Sequence, residues 1–116
     1  MVPYGDIKLS PAATVLNYGQ GVFEGTKAYE TSKNQVVFFR LEDNAKRFNN
    51  SCSRLCMPEI PSEIFVNAVK ETVLDNLEYM PKKEQGSLYI RPLAFGSGPD
   101  LGVKPSSNYT LSLIHI

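Results

Sequence analysis

Two apolar periodicities divide the chain. From Glu42 to Cys56 the apolar side chains Ala45, Phe48, Cys52 and Leu55 recur every three or four residues, which predicts a helix with one buried stripe. Glu42 and Asp43 fall in its first turn, where the helix dipole favours acids, and Pro58 stops it. Ser62 reads as the N-cap of a second helix, in which Phe65, Val69, Val73 and Leu77 form a core stripe at steps of four, reaching to about Met80. Elsewhere the period is two or the run is continuous. Thr26 to Glu30 and Gln35 to Arg40 predict a hairpin about the polar turn Thr31 to Asn34, and the unbroken apolar run Val36 to Phe39 predicts burial on both faces. Gly5 to Leu9 alternates and predicts a short strand ended by Ser10-Pro11, and Tyr109 to Ile116 predicts a last one. Ser87 to Phe95 predicts a buried strand that sets Tyr89 and Arg91 on one face.

These elements add up to one α+β domain, a largely antiparallel sheet with two packed helices. The length of 116 residues and 42% apolar content support a core of that size, and no linker or repeat divides the chain. Twelve basic and twelve acidic side chains cancel without long runs of like charge, which argues against nucleic acid and anionic membrane as partners. No apolar stretch approaches the roughly 18 residues of a membrane helix, and the start MVPYGDIKL has neither a signal peptide's apolar core nor a transit peptide's composition. Cys52 and Cys56 stand four apart on a predicted helix. That is poor disulfide geometry, no further ligands complete a metal site, and both read as reduced, packed thiols suited to an intracellular compartment.

Four features carry candidate chemistry. Arg91 lies inside an apolar run and needs a reason, either an internal salt bridge or a pocket wall. The Gly-rich loop Gly96 to Gly102 follows at once and ends in the apolar pair Leu101 and Val103. Gly19, Gly21 and Gly25 fall within seven residues, which suits either a loop crossing a packed surface or backbone closely approached by something else. Arg47 sits at the edge of the first helix's apolar face, where a guanidinium commonly snorkels to water.

Three motifs in one order, LNYGQGVFEGTKAY at Leu16 to Tyr29, FRLEDNAKRF at Phe39 to Phe48, and SLYIRP followed by GSGPDLGV, resemble the amino-terminal small domain of branched-chain amino acid aminotransferases. These are class IV (fold type IV) enzymes that use pyridoxal 5'-phosphate, and the resemblance runs from about Tyr4 to Tyr109. It implies that Arg47, in the pattern from Arg40 through Asn44, grips the cofactor phosphate, for which a bidentate, permanently charged fork is well suited. It further implies that Tyr18, Phe23, Gly25, Tyr89 and Arg91 line the substrate pocket, with Arg91 and the Tyr18 hydroxyl meeting the distal carboxylate of glutamate. Leu101 and Val103 match loop residues that reach into a neighbouring subunit's pocket, so a homodimer is implied, with amino acids and 2-oxo acids as small-molecule partners.

The expected reaction moves the amino group of Leu, Ile or Val to 2-oxoglutarate. In the family its Schiff-base lysine lies in a carboxy-terminal domain, and none of the eight lysines here occupies that position; Lys27, beside the FEG motif, is expected to be exposed. The domain is therefore taken as residues 1–110 of a longer enzyme, inactive alone. LSLIHI at 111–116 can pass as strand but resembles a reading frame of a sequencing-library adaptor, and His115 is given no role. The alternatives are a D-amino acid transaminase or an aminodeoxychorismate lyase of the same fold, and a non-catalytic domain that binds a full-length subunit. Cytosol, mitochondrion and plastid all remain compatible.

Overall fold

The computed structural model describes residues 2–115. Its elements in chain order are a short helix α1 (Thr14–Tyr18), strands β1 (Gly21–Phe23), β2 (Thr26–Glu30) and β3 (Val36–Phe38), helices α2 (Leu41–Arg54) and α3 (Ser62–Leu74), a 3-10 turn at Leu77–Tyr79, and strands β4 (Leu88–Gly96) and β5 (Tyr109–His115). All strand pairings are antiparallel, as expected.

The sheet is organised around β4. One flank of β4 carries β5 along its length, from Ile90 opposite His115 to Gly96 opposite Tyr109. The other flank carries β1 and β2 in one continuous register, Phe23 opposite Leu93 and Thr26 opposite Ile90. Beyond β2, the expected hairpin adds β3, with Ala28 opposite Phe38.

Strand alternation gives the sheet one covered and one open face. Val22, Ala28, Leu88, Ile90 and Ala94 are buried against the helices. From α2 come Leu41, Ala45, Phe48 and Cys52, and from α3 Phe65, Val69 and Val73. The fully buried rings of Phe48 and Phe65 meet with centroids 5.2 Å apart at 47°. The two sequence stripes thus close one core between two helices and one sheet face.

Several expectations are corrected. Residues 5–9 form no strand; Gly5 to Lys8 are exposed, and without a partner strand alternation alone cannot hold a ladder. Just before the glycine-rich stretch, residues 14–18 make one helical turn closed by Gly19 at φ 67°. Val36 to Phe39 is not buried on both faces, because β3 is the edge strand: Val37 and Phe39 are exposed and Val36 and Phe38 half-buried. Ser62 is the first helical residue of α3, not a side-chain cap, and Leu77, beyond the end of that helix, is exposed. Cys52 is buried as expected, but Cys56 is exposed. The chain leaves α2 in a Schellman turn, with the Cys56 N–H on Ser53 O, the Met57 N–H on Cys52 O, and Cys56 itself at φ 53°. That turn swings Cys56 outward and buries Met57 in its place. Ile116 lies outside the described residues.

Candidate functional site

The continuous register of β1 and β2 is interrupted at Glu24-Gly25, opposite Arg91-Pro92. The Glu24 N–H donates to Pro92 O at 2.9 Å, and Pro92, having no N–H, cannot return the bond. A missing rung therefore marks the centre of the sheet. Alternation sends Glu24 to the covered face and Phe23 and Gly25 to the open one, so two polar clusters meet at adjacent residues.

On the covered side Glu24 takes a bidentate pair from Arg47 of α2: Nη2 to Oε1 at 2.7 Å and Nε to Oε2 at 2.8 Å. The Gly25 N–H adds a bond to Oε1 at 3.0 Å, and Asn44 Nδ2 reaches Oε2 and Gly25 O at 3.4 Å each. Burial works to raise the Glu24 carboxyl, but the bond from Arg47, that from Gly25, the Arg47 charge and the Asn44 amide outweigh it and hold the group below the ordinary glutamate range. The Glu24 side chain is only 8% exposed, whereas that of Arg47 is 68% exposed. Lys46 points elsewhere, toward Asp43 at 3.8 Å.

On the open side Arg91 has no carboxylate partner among the described residues. Its Nε and Nη2 both donate to the Tyr89 hydroxyl, at 3.0 and 2.9 Å. Its guanidinium carbon lies 4.5 Å from the centroid of the Phe23 ring and 5.2 Å from that of Tyr89. The salt-bridge reading of Arg91 is thus replaced by an aromatic cradle, in which a half-buried cation keeps three of its five N–H donors free of Tyr89. Gly25 is required underneath: a Cβ there would overlap the Tyr89 hydroxyl. Phe23, Gly25, Tyr89 and Arg91 are therefore one constellation, and Lys27, two residues beyond Gly25 on the same face, is exposed.

Tyr18 and the loop tips stand together but apart from that cradle. The Tyr18 hydroxyl accepts the Gly102 N–H at 3.1 Å, so it anchors the loop carrying Leu101 and Val103, which are 71% and 95% exposed. Tyr18, Gln20, Leu55, Cys56 and Val103 line a hollow of about 320 Å³ beside this anchor. Gln20 escaped the sequence reading. Its amide donates to Leu55 O at 3.0 Å and accepts the Ser106 N–H at 3.2 Å, tying the end of α2 to the loop. Glu24 also escaped it, although an acid alternating with Val22, Thr26 and Ala28 on the core face was a readable signal.

Known proteins similar to this chain are found by both sequence and fold. No protein-family model matches the chain. It is 52% identical over 110 residues to branched-chain-amino-acid aminotransferase 6 of Arabidopsis thaliana, covering 95% of this chain and 31% of that protein. It is 41% identical over 114 residues to branched-chain-amino-acid transaminase 1 of Bacillus subtilis, covering 98% and 32%. Among solved structures, the T.th. branched-chain amino acid aminotransferase complexed with N-(5'-phosphopyridoxyl)-L-glutamate is similar with a TM-score of 0.79 at 37% identity, covering 98% of this chain and 37% of that one. The chain thus spans about a quarter to a third of the length of the curated relatives it matches. Over nearly all of this chain, sequence and fold both carry the resemblance to branched-chain aminotransferases.

The donor set fits a phosphate-bearing cofactor. Glu24 occupies two of the five N–H donors of Arg47 and leaves three on a largely exposed guanidinium, enough for a bidentate grip on phosphate oxygens.

Proposed function

We propose that this chain, branched-chain-aminotransferase-like in sequence and fold over nearly its whole length, is the amino-terminal domain of a pyridoxal 5'-phosphate-dependent transaminase. That enzyme moves the amino group of Leu, Ile or Val to 2-oxoglutarate. The observation that carries the reading is the aromatic cradle of Arg91, a cation without a carboxylate partner among the described residues and on the open face of the sheet. An unpaired guanidinium between two rings can meet a carboxylate with its free donors, while Phe23 and Tyr89 offer apolar surface to a branched side chain. One pocket can then take glutamate in one half-reaction and leucine in the other.

Bound pyridoxal phosphate would supply the electron sink for removing the substrate's α-proton. Arg47 would hold its phosphate with the donors that Glu24 leaves free. Gly25 would keep the floor low enough for the Tyr89 hydroxyl, and that hydroxyl would hold Arg91 in place. We take residues 1–110, with β5 running on through 111–115 along the flank of β4, as the domain, and the catalytic lysine as belonging to a further domain, so that the domain alone is inactive. Leu101 and Val103 would enter the pocket of a second subunit of a homodimer. We place the enzyme inside the cell; two of its relatives are named chloroplastic and mitochondrial.

The test is the split between half-reactions in the full-length protein. Arg91→Ala is expected to lower kcat/KM for glutamate about tenfold more than for leucine, since only glutamate offers a second carboxylate. Equal losses on both substrates would assign Arg91 a purely structural role.

A further inference from the structure

Glu24 is the only buried charged side chain among the described residues. Every contact on it comes from a donor: Oε1 takes Arg47 Nη2 and the Gly25 N–H, and Oε2 takes Arg47 Nε and Asn44 Nδ2. Such a carboxylate cannot be exchanged for an amide without turning an NH₂ group against other donors. Its place is also electrostatically awkward, because a negative charge beside a phosphate-binding arginine repels the phosphate. What it gives in return is orientation. A long, largely exposed arginine would otherwise sample many rotamers and lose that freedom on gripping its ligand.

We propose that Glu24 is a positioning residue for phosphate binding: its buried carboxylate fixes the guanidinium of Arg47 and, through the Gly25 N–H, ties that arginine to the backbone step beneath Tyr89. The two ends of the site, Arg47 on the covered face and Tyr89 with Arg91 on the open face, are thereby held by one side chain at the missing rung of the sheet. This inference rests on the assignment of Arg47 to the cofactor phosphate made above. It adds that the acid of the FEG motif acts through Arg47 and does not touch the ligand.

The experiment is a double-mutant cycle on the full-length apoprotein, titrated with pyridoxal 5'-phosphate and, in competition, with inorganic phosphate. Arg47→Gln and Glu24→Gln are each expected to weaken binding about tenfold, and the double variant to bind no more weakly than Arg47→Gln alone. Thermal unfolding is followed in parallel, because a merely structural acid would lower the midpoint and leave the affinity of the folded fraction unchanged. Unaltered or tighter binding in Glu24→Gln would overturn the proposal, the tighter case showing that repulsion outweighs orientation. Losses that multiply in the double variant would overturn it too, by showing that Glu24 does not act through Arg47. Unaltered binding in Arg47→Gln would instead overturn the assignment of Arg47, and this inference with it. Should Glu24→Gln fail to fold, Glu24→Asp keeps the charge on a shorter stem. It is expected to weaken binding only where Arg47 is present, and wild-type affinity in that variant would overturn the proposal.

Discussion

The two faces of the sheet are built by the same strands and obey different rules. On the covered face Val22, Ala28, Leu88, Ile90 and Ala94 are buried under helices that contribute Phe48, Phe65 and Val69. One residue along, the open face leaves Phe23 63% exposed and holds Arg91 with no carboxylate partner among the described residues. Period-two alternation lets one stretch of chain supply both core and site, because successive side chains never compete for the same side. The comparison teaches that stability and recognition are separable by parity of position from Leu88 to Ala94, except at Glu24-Gly25, where they touch; beyond that stretch Phe95 is buried although it shares the parity of Arg91.

The largest expected effect breaks the covered face alone. Phe48 is 1% exposed and packs on Phe65, so Phe48→Ala should lower the unfolding free energy of this chain by about 3–5 kcal/mol, read by urea denaturation. A loss below about 1 kcal/mol would show that the helices do not form the main core.

A smaller effect is expected where the open face is perturbed from beneath. Gly25→Ala puts a methyl group where the Tyr89 hydroxyl sits, and that hydroxyl holds Arg91. Overpacking of this kind costs about 1–3 kcal/mol of stability. In the full-length protein, displacement of Arg91 should lower kcat/KM for glutamate by up to about a hundredfold, because small misplacements in a binding constellation are amplified in rate. A variant with wild-type kinetics would mean that Tyr89 moves aside without carrying Arg91 with it.

The same contrast explains what could be read in advance. Covered-face positions were legible because burial imposes a period: Phe48, Cys52, Phe65, Val69 and Val73 follow from spacing alone. The hairpin of β2 and β3 was legible from its polar turn, but its exposure was not, since a continuous apolar run does not say whether a strand is central or at an edge. At the site, the shared face of Tyr89 and Arg91 follows from alternation, whereas the contact with Phe23 depends on a register set by partners some 70 positions apart in the chain. The Glu24–Arg47 pair was hidden for the same reason: it joins the step between two strands to a helical residue 23 positions later, and no local pattern encodes that meeting. Residues 5–9 show the converse, a correct alternation that finds no partner strand among the described residues.

The smallest expected effect sharpens the comparison at the loop between β4 and β5. Val103 is 95% exposed and borders the hollow beside Tyr18, so its apolar surface has two uses open to it: closing that hollow within its own chain, or waiting for a second subunit. Val103→Ser separates them. Side chains that the folded chain does not bury contribute little to its stability, and the unfolding free energy of this chain should stay within about 0.5 kcal/mol of the wild type in urea denaturation. A loss above about 1 kcal/mol would require Val103 to lose burial within its own fold, because removing apolar contact from water-exposed surface cannot cost that much. With stability unchanged, the loop behaves like the open face of the sheet, as surface built by the fold but not needed by it, and the anchor from the Tyr18 hydroxyl to Gly102 then serves to hold that surface outward.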